Sequence, residues 1–229
     1  MKKILVATAI AMALTSAGAN AADATAQLKV TGLLSVEACT PTLSGGGTVD
    51  YGSIHLAGLS ATSDNQLGTK DVSLSIKCPD AGAKAGWTIT DNNAGTRASD
   101  ITITNADAAN GSVNSADQSY GVGETAGKVK IGAYSVFTDI SNVTADGVKV
   151  DAISGAAASP TWAKSTTGII KNADAEMMTV AVSGSAEPLS YVTAVFPLKV
   201  SLAIKDTTTL AITDDTSLAG QATITVKYL

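Results

Sequence analysis

Apolar and polar residues alternate over several short segments of this chain, which is the period of a half-buried β-strand. In residues 71–78, every second position from Val72 to Cys78 is apolar, so these side chains share one face. The last such segment, residues 222–228, alternates just as strictly. Weaker strand patterns, with Gly, Asn and Asp turns between them, cover residues 48–54, 87–90, 101–104, 128–136, 148–150, 178–182 and 191–204. Many short strands at this spacing predict an all-β sandwich.

Pro197 lies inside the long segment 191–204. Proline has no backbone N–H and is confined to edge positions or bulges of a sheet. The sequence therefore predicts that this strand is interrupted at Pro197.

One further alternating segment lies near the N-terminus, before the first cysteine. Leu28, Val30 and Leu34 fall on one face with Ala26 as a smaller member, and Gly32 occupies the remaining position of that face. Such a strand either begins the chain's own sheet or joins the sheet of a neighbour, and its pattern leaves both open.

The first 21 residues have the marks of a secretory signal peptide. Lys2 and Lys3 precede the apolar run 4–14, and Ala19-Asn20-Ala21 supplies a small-x-small ending. We predict cleavage after Ala21 and export, with an uncleaved membrane anchor as the alternative. No later segment is apolar and long enough to cross a bilayer, so we expect no direct membrane insertion.

Charge and cysteine content narrow the function further. The net charge of −5 becomes more negative when Lys2 and Lys3 are removed, which argues against nucleic acid and anionic lipid as partners. Cys39 and Cys78 are the two cysteines, and an even number in an oxidising compartment predicts a disulfide bond. Two free, buried thiols are the alternative.

Residues with catalytic or metal-binding potential are scarce, and we predict a non-enzymatic protein with no catalytic residue, metal or cofactor. His55 is the sole histidine, so a serine or cysteine nucleophile lacks an obvious base. A glycosidase with paired carboxylates stays open, although an aromatic content of 4% argues against a sugar cleft. Residues 91–93 and 214–215 could bind calcium, but turn formation is the favoured interpretation.

Four stretches together resemble the pilins of the chaperone–usher pathway. They are Lys29-Val30-Thr31-Gly32-Leu33-Leu34, Val49-Asp50-Tyr51-Gly52-Ser53-Ile54, Ser73-Leu74-Ser75-Ile76-Lys77-Cys78 and the terminal Ala222-Thr223-Ile224-Thr225-Val226-Lys227-Tyr228-Leu229, with tyrosine next to last. Within that superfamily the chain is similar to an uncharacterised group from fimbrial operons, known as a domain of unknown function. The resemblance covers residues 22–95 and 218–229.

This resemblance implies an incomplete immunoglobulin-like sandwich that lacks its last strand. A periplasmic pilus chaperone lends a strand, an outer-membrane usher receives the complex, and the extension of a neighbouring pilus subunit replaces the chaperone. The implied donor residues are Ala26, Leu28, Val30, Gly32 and Leu34. The implied chaperone-binding residues are Ile224, Val226, Tyr228 and Leu229.

The implied organisation is a signal peptide (1–21), a donor-strand extension (22–38) and a pilin-like domain (39–229) with an enlarged central region at about 105–190. Thr216 stands where many pilins have glycine. The enlarged region predicts a minor or adaptor subunit in cell adhesion, exported through the periplasm to a surface fimbria. The alternatives are a tip carbohydrate-binding adhesin with a site around Trp162 and Tyr191, or a free periplasmic protein with a self-completed sandwich.

Overall fold

The computed structural model of this protein describes residues 28–32, 38–79 and 81–229. The chain divides into two compact units, Met1–Val36 and Glu37–Leu229. The predicted signal peptide lies outside the described residues, as do Ala26 and Leu34 of the predicted donor strand. The domain boundaries proposed from the sequence stay predictions.

The second unit is nearly all β-structure. Its strands are β1 (Thr40–Leu43), β2 (Asn65–Lys77), β3 (Ala85–Asp91), β4 (Tyr120–Gly121), β5 (Gly132–Thr138), β6 (Thr144–Ala145), β7 (Val148–Lys149), β8 (Asp151–Ala156), β9 (Ala163–Lys164), β10 (Glu176–Ala181), β11 (Thr193–Ile204) and β12 (Ala222–Tyr228). A short helix, α1 (Thr207–Leu210), follows β11, and 3₁₀ turns cover Ser44–Gly47, Leu56–Gly58 and Ala94–Thr96. In the part of the chain that the structure describes, no helix has the length and apolar character of a membrane span.

The strands form two antiparallel sheets, which confirms the predicted all-β sandwich. Sheet one has the order β1-β2-β11-β5-β4, with β6 added beside β11 and β7 beside β6. Sheet two has the order β12-β3-β10-β8-β9. The last strand of the chain therefore lies at an edge of sheet two, and the first strand lies at an edge of sheet one.

The main core lies between the two sheets. Leu74 and Ile76 of β2 are fully buried there, on the face that their alternation predicts. Trp87 of β3 packs edge-on against Phe196 of β11, with ring centroids 5.7 Å apart. Each fully buried side chain of this kind contributes about 1.5–3 kcal/mol of hydrophobic stabilisation, so this contact between sheets is a major part of the fold.

A second apolar cluster covers the outer face of sheet one. Phe137 of β5 and Ala203 of β11 contact Ile101, Ile103 and further apolar side chains of the loop that precedes β4. The predicted strand at residues 101–104 is therefore wrong. Its two isoleucines are buried by packing onto a sheet from outside, and only an isolated bridge joins Ile103 to Val113.

The predicted interruption at Pro197 is also wrong. Strand β11 continues through this residue, and the irregular register lies between Ser201 and Ala203. The Pro197 carbonyl accepts a hydrogen bond from Asp139 N at 2.8 Å, so the absent N–H points to the same side of the strand. On that side of β11, pairing with β6 ends at Val195 and pairing with β5 begins at Leu198. Pro197 lies in the gap between the two, so its missing N–H removes no ladder hydrogen bond.

The third correction concerns residues 48–54, for which the alternation predicts a strand. In the described residues this segment pairs with no strand and follows the 3₁₀ turn after β1. Over residues 48–51 the side chains keep the expected phase, because Val49 and Tyr51 are half-buried while Thr48 and Asp50 are exposed. The first half of the segment thus has the side-chain pattern of a strand and lacks a backbone partner in the described residues.

The predicted disulfide bond is confirmed between Cys39 and Cys78, which are 39 positions apart. It joins the residue before β1 to the residue after β2, and both cysteines are buried in the main core. The bond therefore fixes the point at which the chain enters the sandwich.

Replacing both cysteines by alanine should lower the free energy of unfolding by about 4 kcal/mol, because a closed loop of this length restricts the unfolded chain. Urea unfolding of the oxidised protein and of the double variant measures the difference. The oxidised protein treated with a reductant is the matched control and should resemble the variant. A difference below about 1 kcal/mol would contradict a structural role for this bond.

Candidate functional site

The edge of β12 is open on one side. All seven residues of β12 pair with β3, from Ala222 opposite Asp91 to Tyr228 opposite Ala85. On its other side, β12 pairs with no strand among the residues that the structure describes. Unpaired N–H and C=O groups along a strand edge form a template for the addition of another strand.

The inward side chains of β12 are incompletely covered. Ile224 and Val226 are only half-buried, whereas Trp87 and Ile89 on the neighbouring β3 are buried. The alternation of β12 is that of a strand with a core face, yet its core face lacks part of its cover. The exposed surface belongs to the interior of the sandwich and lies next to the free backbone edge.

A groove of about 1160 Å³ runs beside this open edge. Its floor is apolar and comes from the inner face of sheet one, with contributions from Val72, Val136, Leu198, Val200 and Leu202. One bank is formed by residues 46–56, and the opposite bank by residues 212–218, 220–222 and Ile224. The groove thus separates the unpaired segment 48–54 from β12 and its preceding loop.

Side chains rather than a strand ladder hold the first bank in place. The Tyr51 hydroxyl donates a hydrogen bond to Val200 O at 2.7 Å. The Asp50 carboxylate accepts one from Gly52 N at 2.7 Å, and Gly52 has a φ of 69° that bends the segment. Val49 packs against the main core. The bank is therefore anchored through its side chains, while its backbone has no neighbouring strand in the described residues.

The two ends of the groove differ. One end contains Cys39, Cys78 and Tyr228, and we call it the disulfide end. There the Cys39 N–H donates a hydrogen bond to the Tyr228 hydroxyl, so β1 and β12 meet. At the opposite end, which we call the mouth end (Leu56, Leu59, Leu210 and Ile212), turns and loops surround a separate apolar cluster. At the disulfide end, β1 and β12 are in direct contact.

The predicted chaperone-binding residues lie along this edge. Ile224 lines the groove, Val226 is half-buried against the main core, and Tyr228 and Leu229 are exposed at the disulfide end. Leu229 N donates to Lys84 O at 3.0 Å, which fixes the last residue against sheet two. Their role toward a chaperone stays a prediction.

Of the predicted donor residues, Leu28, Val30 and Gly32 are described, and they belong to the first unit. Leu28 and Val30 are 91% and 88% exposed. A Cβ atom added at Gly32 would meet no heavy atom within 4 Å. The donor role of this segment stays a prediction.

Tyr191 and Asp91, which the sequence offered for other functions, make contacts that stabilise the fold. Tyr191 is buried, and its hydroxyl donates to Ala85 O at 3.0 Å, so the expectation of a carbohydrate site that uses this ring is wrong. Asp91 accepts hydrogen bonds from Asn93 N and Gly121 N, both at 2.8 Å, which makes it a loop anchor. Within residues 28–32, 38–79 and 81–229, no group of three or more His, Cys, Asp or Glu is placed to hold a metal ion.

Sequence reasoning missed most of the groove floor. Val136, Val200 and Leu202 come from strands far apart in the chain, and only sheet pairing brings them to one face. For Tyr51, the sequence did contain an indication of its place in the site. The alternation of residues 48–54 puts Tyr51 on the inward face together with Val49. Its hydrogen bond to β11 was not predictable from that pattern.

The fold and the groove define an antiparallel β-sandwich with one open inner edge. A family model described as "Protein of unknown function (DUF1120)" matches residues 28–135. Protein GltF of Escherichia coli (strain K12) is 32% identical over 262 aligned residues, which cover 100% of this chain and 99% of that protein. Uncharacterized protein YhcF of the same strain is 30% identical over 231 residues, covering 92% of this chain and 93% of the relative. The chain belongs to the DUF1120 family, which confirms the predicted similarity to a domain of unknown function.

Burial raises the pKa of Tyr51 from its ordinary value of 10.0 to about 12. The folded state therefore favours the neutral phenol. The stability that this preference contributes is fully present below pH 10 and is lost as the pH rises from 10 to 12.

Tyr51→Phe should therefore make the free energy of unfolding less dependent on pH between 10 and 12. At neutral pH it should cost about 1 kcal/mol, because the variant loses the short hydrogen bond to Val200 O and the longer one to Gly68 O at 3.4 Å. Urea unfolding at several pH values measures both effects, with the neutral-pH series as the control for the hydrogen bond. An unchanged slope above pH 10 would contradict the burial of this hydroxyl.

Proposed function

We propose that this protein is a structural, non-enzymatic subunit of a surface fimbria, assembled by donor-strand exchange. The observation that carries the proposal is the open edge of β12 beside an apolar groove. A periplasmic chaperone occupies the groove first, an outer-membrane usher receives the complex, and the extension of a neighbouring subunit then replaces the chaperone.

The two banks of the groove support an inserted strand. Residues 48–51 alternate like a strand but have no ladder among the described residues, where β12 has a ladder on one side only. A single strand placed between them could hydrogen-bond to both. A strand supplied by another chain would account for the strand that the alternation predicts at 48–54, because this segment has no partner in the described residues.

The N-terminal extension has the length and pattern of such a strand. Residues 28–34 number seven, as does β12, and seven residues of antiparallel strand span about 24 Å. Burying Leu28, Val30 and Leu34 would contribute roughly 5–9 kcal/mol before the cost of ordering the strand. The exposure of Leu28 and Val30 is consistent with side chains that are buried only in an assembly.

Chain direction favours the groove of another copy over the chain's own groove. The sandwich begins at Cys39, which lies beside Tyr228 at the disulfide end. An extension that returned into its own groove would have to reverse within residues 35–38 and run parallel to β12. The extension of another copy can enter antiparallel to β12, which is the slightly more stable pairing.

An exposed inner edge also accounts for the need for a chaperone. Ile224 and Val226 lie next to free backbone groups, and such an edge promotes aggregation when it is left uncovered. A chaperone strand over β12 would protect both the side chains and the backbone. The central region of residues 105–190, which supplies β4 to β10, is the part that suits a minor or adaptor subunit.

Co-expression with the cognate periplasmic chaperone tests the proposal. We expect little folded protein in the periplasm without the chaperone and a stable one-to-one complex with it. The Cys39→Ala, Cys78→Ala variant is a control for general instability, since it lacks the disulfide bond but keeps the groove. Equal accumulation of a folded monomer with and without the chaperone would contradict an incomplete fold.

Gly32→Leu should lower the amount of assembled fibre at least tenfold. Capture of the subunit by the chaperone should stay unchanged. In the monomer, an added side chain at this position meets open space, so the variant should fold normally. In a groove, the same side chain would require room along the apolar face of the donor strand. Thr31→Leu, on the opposite face, is the matched control, and ladders on gels run without boiling measure assembly. Normal assembly of Gly32→Leu would show that the extension is not a donor strand.

A further inference from the structure

Exposed apolar side chains gather at the disulfide end of the sandwich. In the described residues of the second unit, five large apolar side chains are exposed, and four of them lie at this end: Val148, Val182, Tyr228 and Leu229. Tyr228 and Leu229 belong to the open edge already described. Val148 and Val182 are 66% and 58% exposed and have no part in the groove.

The position of Val148 is fixed by the β6–β7 hairpin. The Asp146 carboxylate between the two strands accepts hydrogen bonds from Val192 N at 3.0 Å and Thr193 N at 2.7 Å. Thr193 begins β11 and pairs with Lys77, the last residue of β2. The hairpin is therefore held beside Cys78, where the chain enters the sandwich.

Val182 occupies the same end of sheet two. It follows Ala181, which ends β10 and pairs with Asp151 at the start of β8. The Gly184 N–H donates to the Asp151 carboxylate at 2.8 Å and holds the turn. Because β8 follows β7 in the chain, Val148 and Val182 lie at the same end of the sandwich, and each is close to a turn that an aspartate holds.

The short connection between donor strand and sandwich limits where this end can lie in an assembly. Leu34, the last donor position, is five residues before Cys39, and five extended residues span at most about 17 Å. A donor strand antiparallel to β12 places Leu34 toward Ala222 and hence toward the mouth end of the acceptor. The disulfide end of the donor copy must therefore lie close to the mouth end of the acceptor copy.

We propose that Val148 and Val182 form a second contact between subunits, against the mouth end of the copy that accepts the donor strand. This inference rests on the proposed donor-strand exchange and names the partner surface as a second copy of this chain. The acceptor supplies Leu56, the fifth exposed apolar side chain, together with the half-buried Leu59 and Ile212. Different surfaces meet, so the contact is head-to-tail and repeats along a fibre.

The contact has a distinct mechanical role. A donor strand by itself joins two sandwiches at one place, and a second contact is needed to define their relative rotation. Apolar burial between the ends restricts that rotation and adds stability that appears only after the strand is inserted. The two valines should therefore affect assembly and leave the filling of a single groove unchanged.

The test compares Val148→Asp, Val182→Asp with the matched control Thr161→Asp, Ala163→Asp, which adds two charges at exposed positions on and beside β9. Each full mature chain is isolated as its chaperone complex. One measurement is binding of a synthetic peptide of residues 26–34 to the groove, and the other is polymer formation followed by size-exclusion chromatography. We expect unchanged peptide binding for both variants and polymer formation about tenfold slower for the valine variant only.

Each other outcome overturns a specific claim. Failure of the parent chain to bind the peptide would overturn donor-strand exchange itself, and the second contact with it. Peptide binding by the parent, with equal polymer formation by all chains, would overturn the second contact alone. Loss of peptide binding or chaperone capture in the valine variant would also overturn it, because the valines would then act on the fold or on the chaperone.

Discussion

The unpaired edge of β12 is the constraint on which the rest of this structure depends. Backbone N–H and C=O groups beside an apolar interior require partners, and in the described residues β12 has a strand neighbour on one side only. The incomplete burial of Ile224 is a consequence of the same open edge. An edge of this kind promotes aggregation unless another chain covers it.

The groove stays open because the rest of the sandwich is held independently of it. Trp87 and Phe196 join the two sheets, and the Cys39–Cys78 bond ties β1 to β2 at the disulfide end. Tyr51 holds the far bank by a hydrogen bond to β11 rather than by a ladder with β12. These contacts hold the two sheets and segment 48–54 in place without a strand beside the open edge of β12.

Local alternation predicted the strands whose partners lie within this domain. Residues 71–77 and 222–228 are strands with the inward face that their patterns indicate. The same reasoning was wrong at residues 101–104 and at Pro197, where burial from outside a sheet and a gap between β6 and β5 decide the outcome. Both depend on which segments become neighbours, and short sequence periods contain no information on that.

Segment 48–54 shows most clearly what the sequence determines and what the tertiary structure adds. The sequence by itself indicated the side-chain phase of residues 48–51, a disulfide bond between Cys39 and Cys78, and the all-β class, because these follow from local period and composition. Only the tertiary structure decided that this segment and β12 line one groove, with no strand between them among the residues that the structure describes. The physical reason is that a backbone hydrogen bond needs two chains side by side, and alternation describes only one of them.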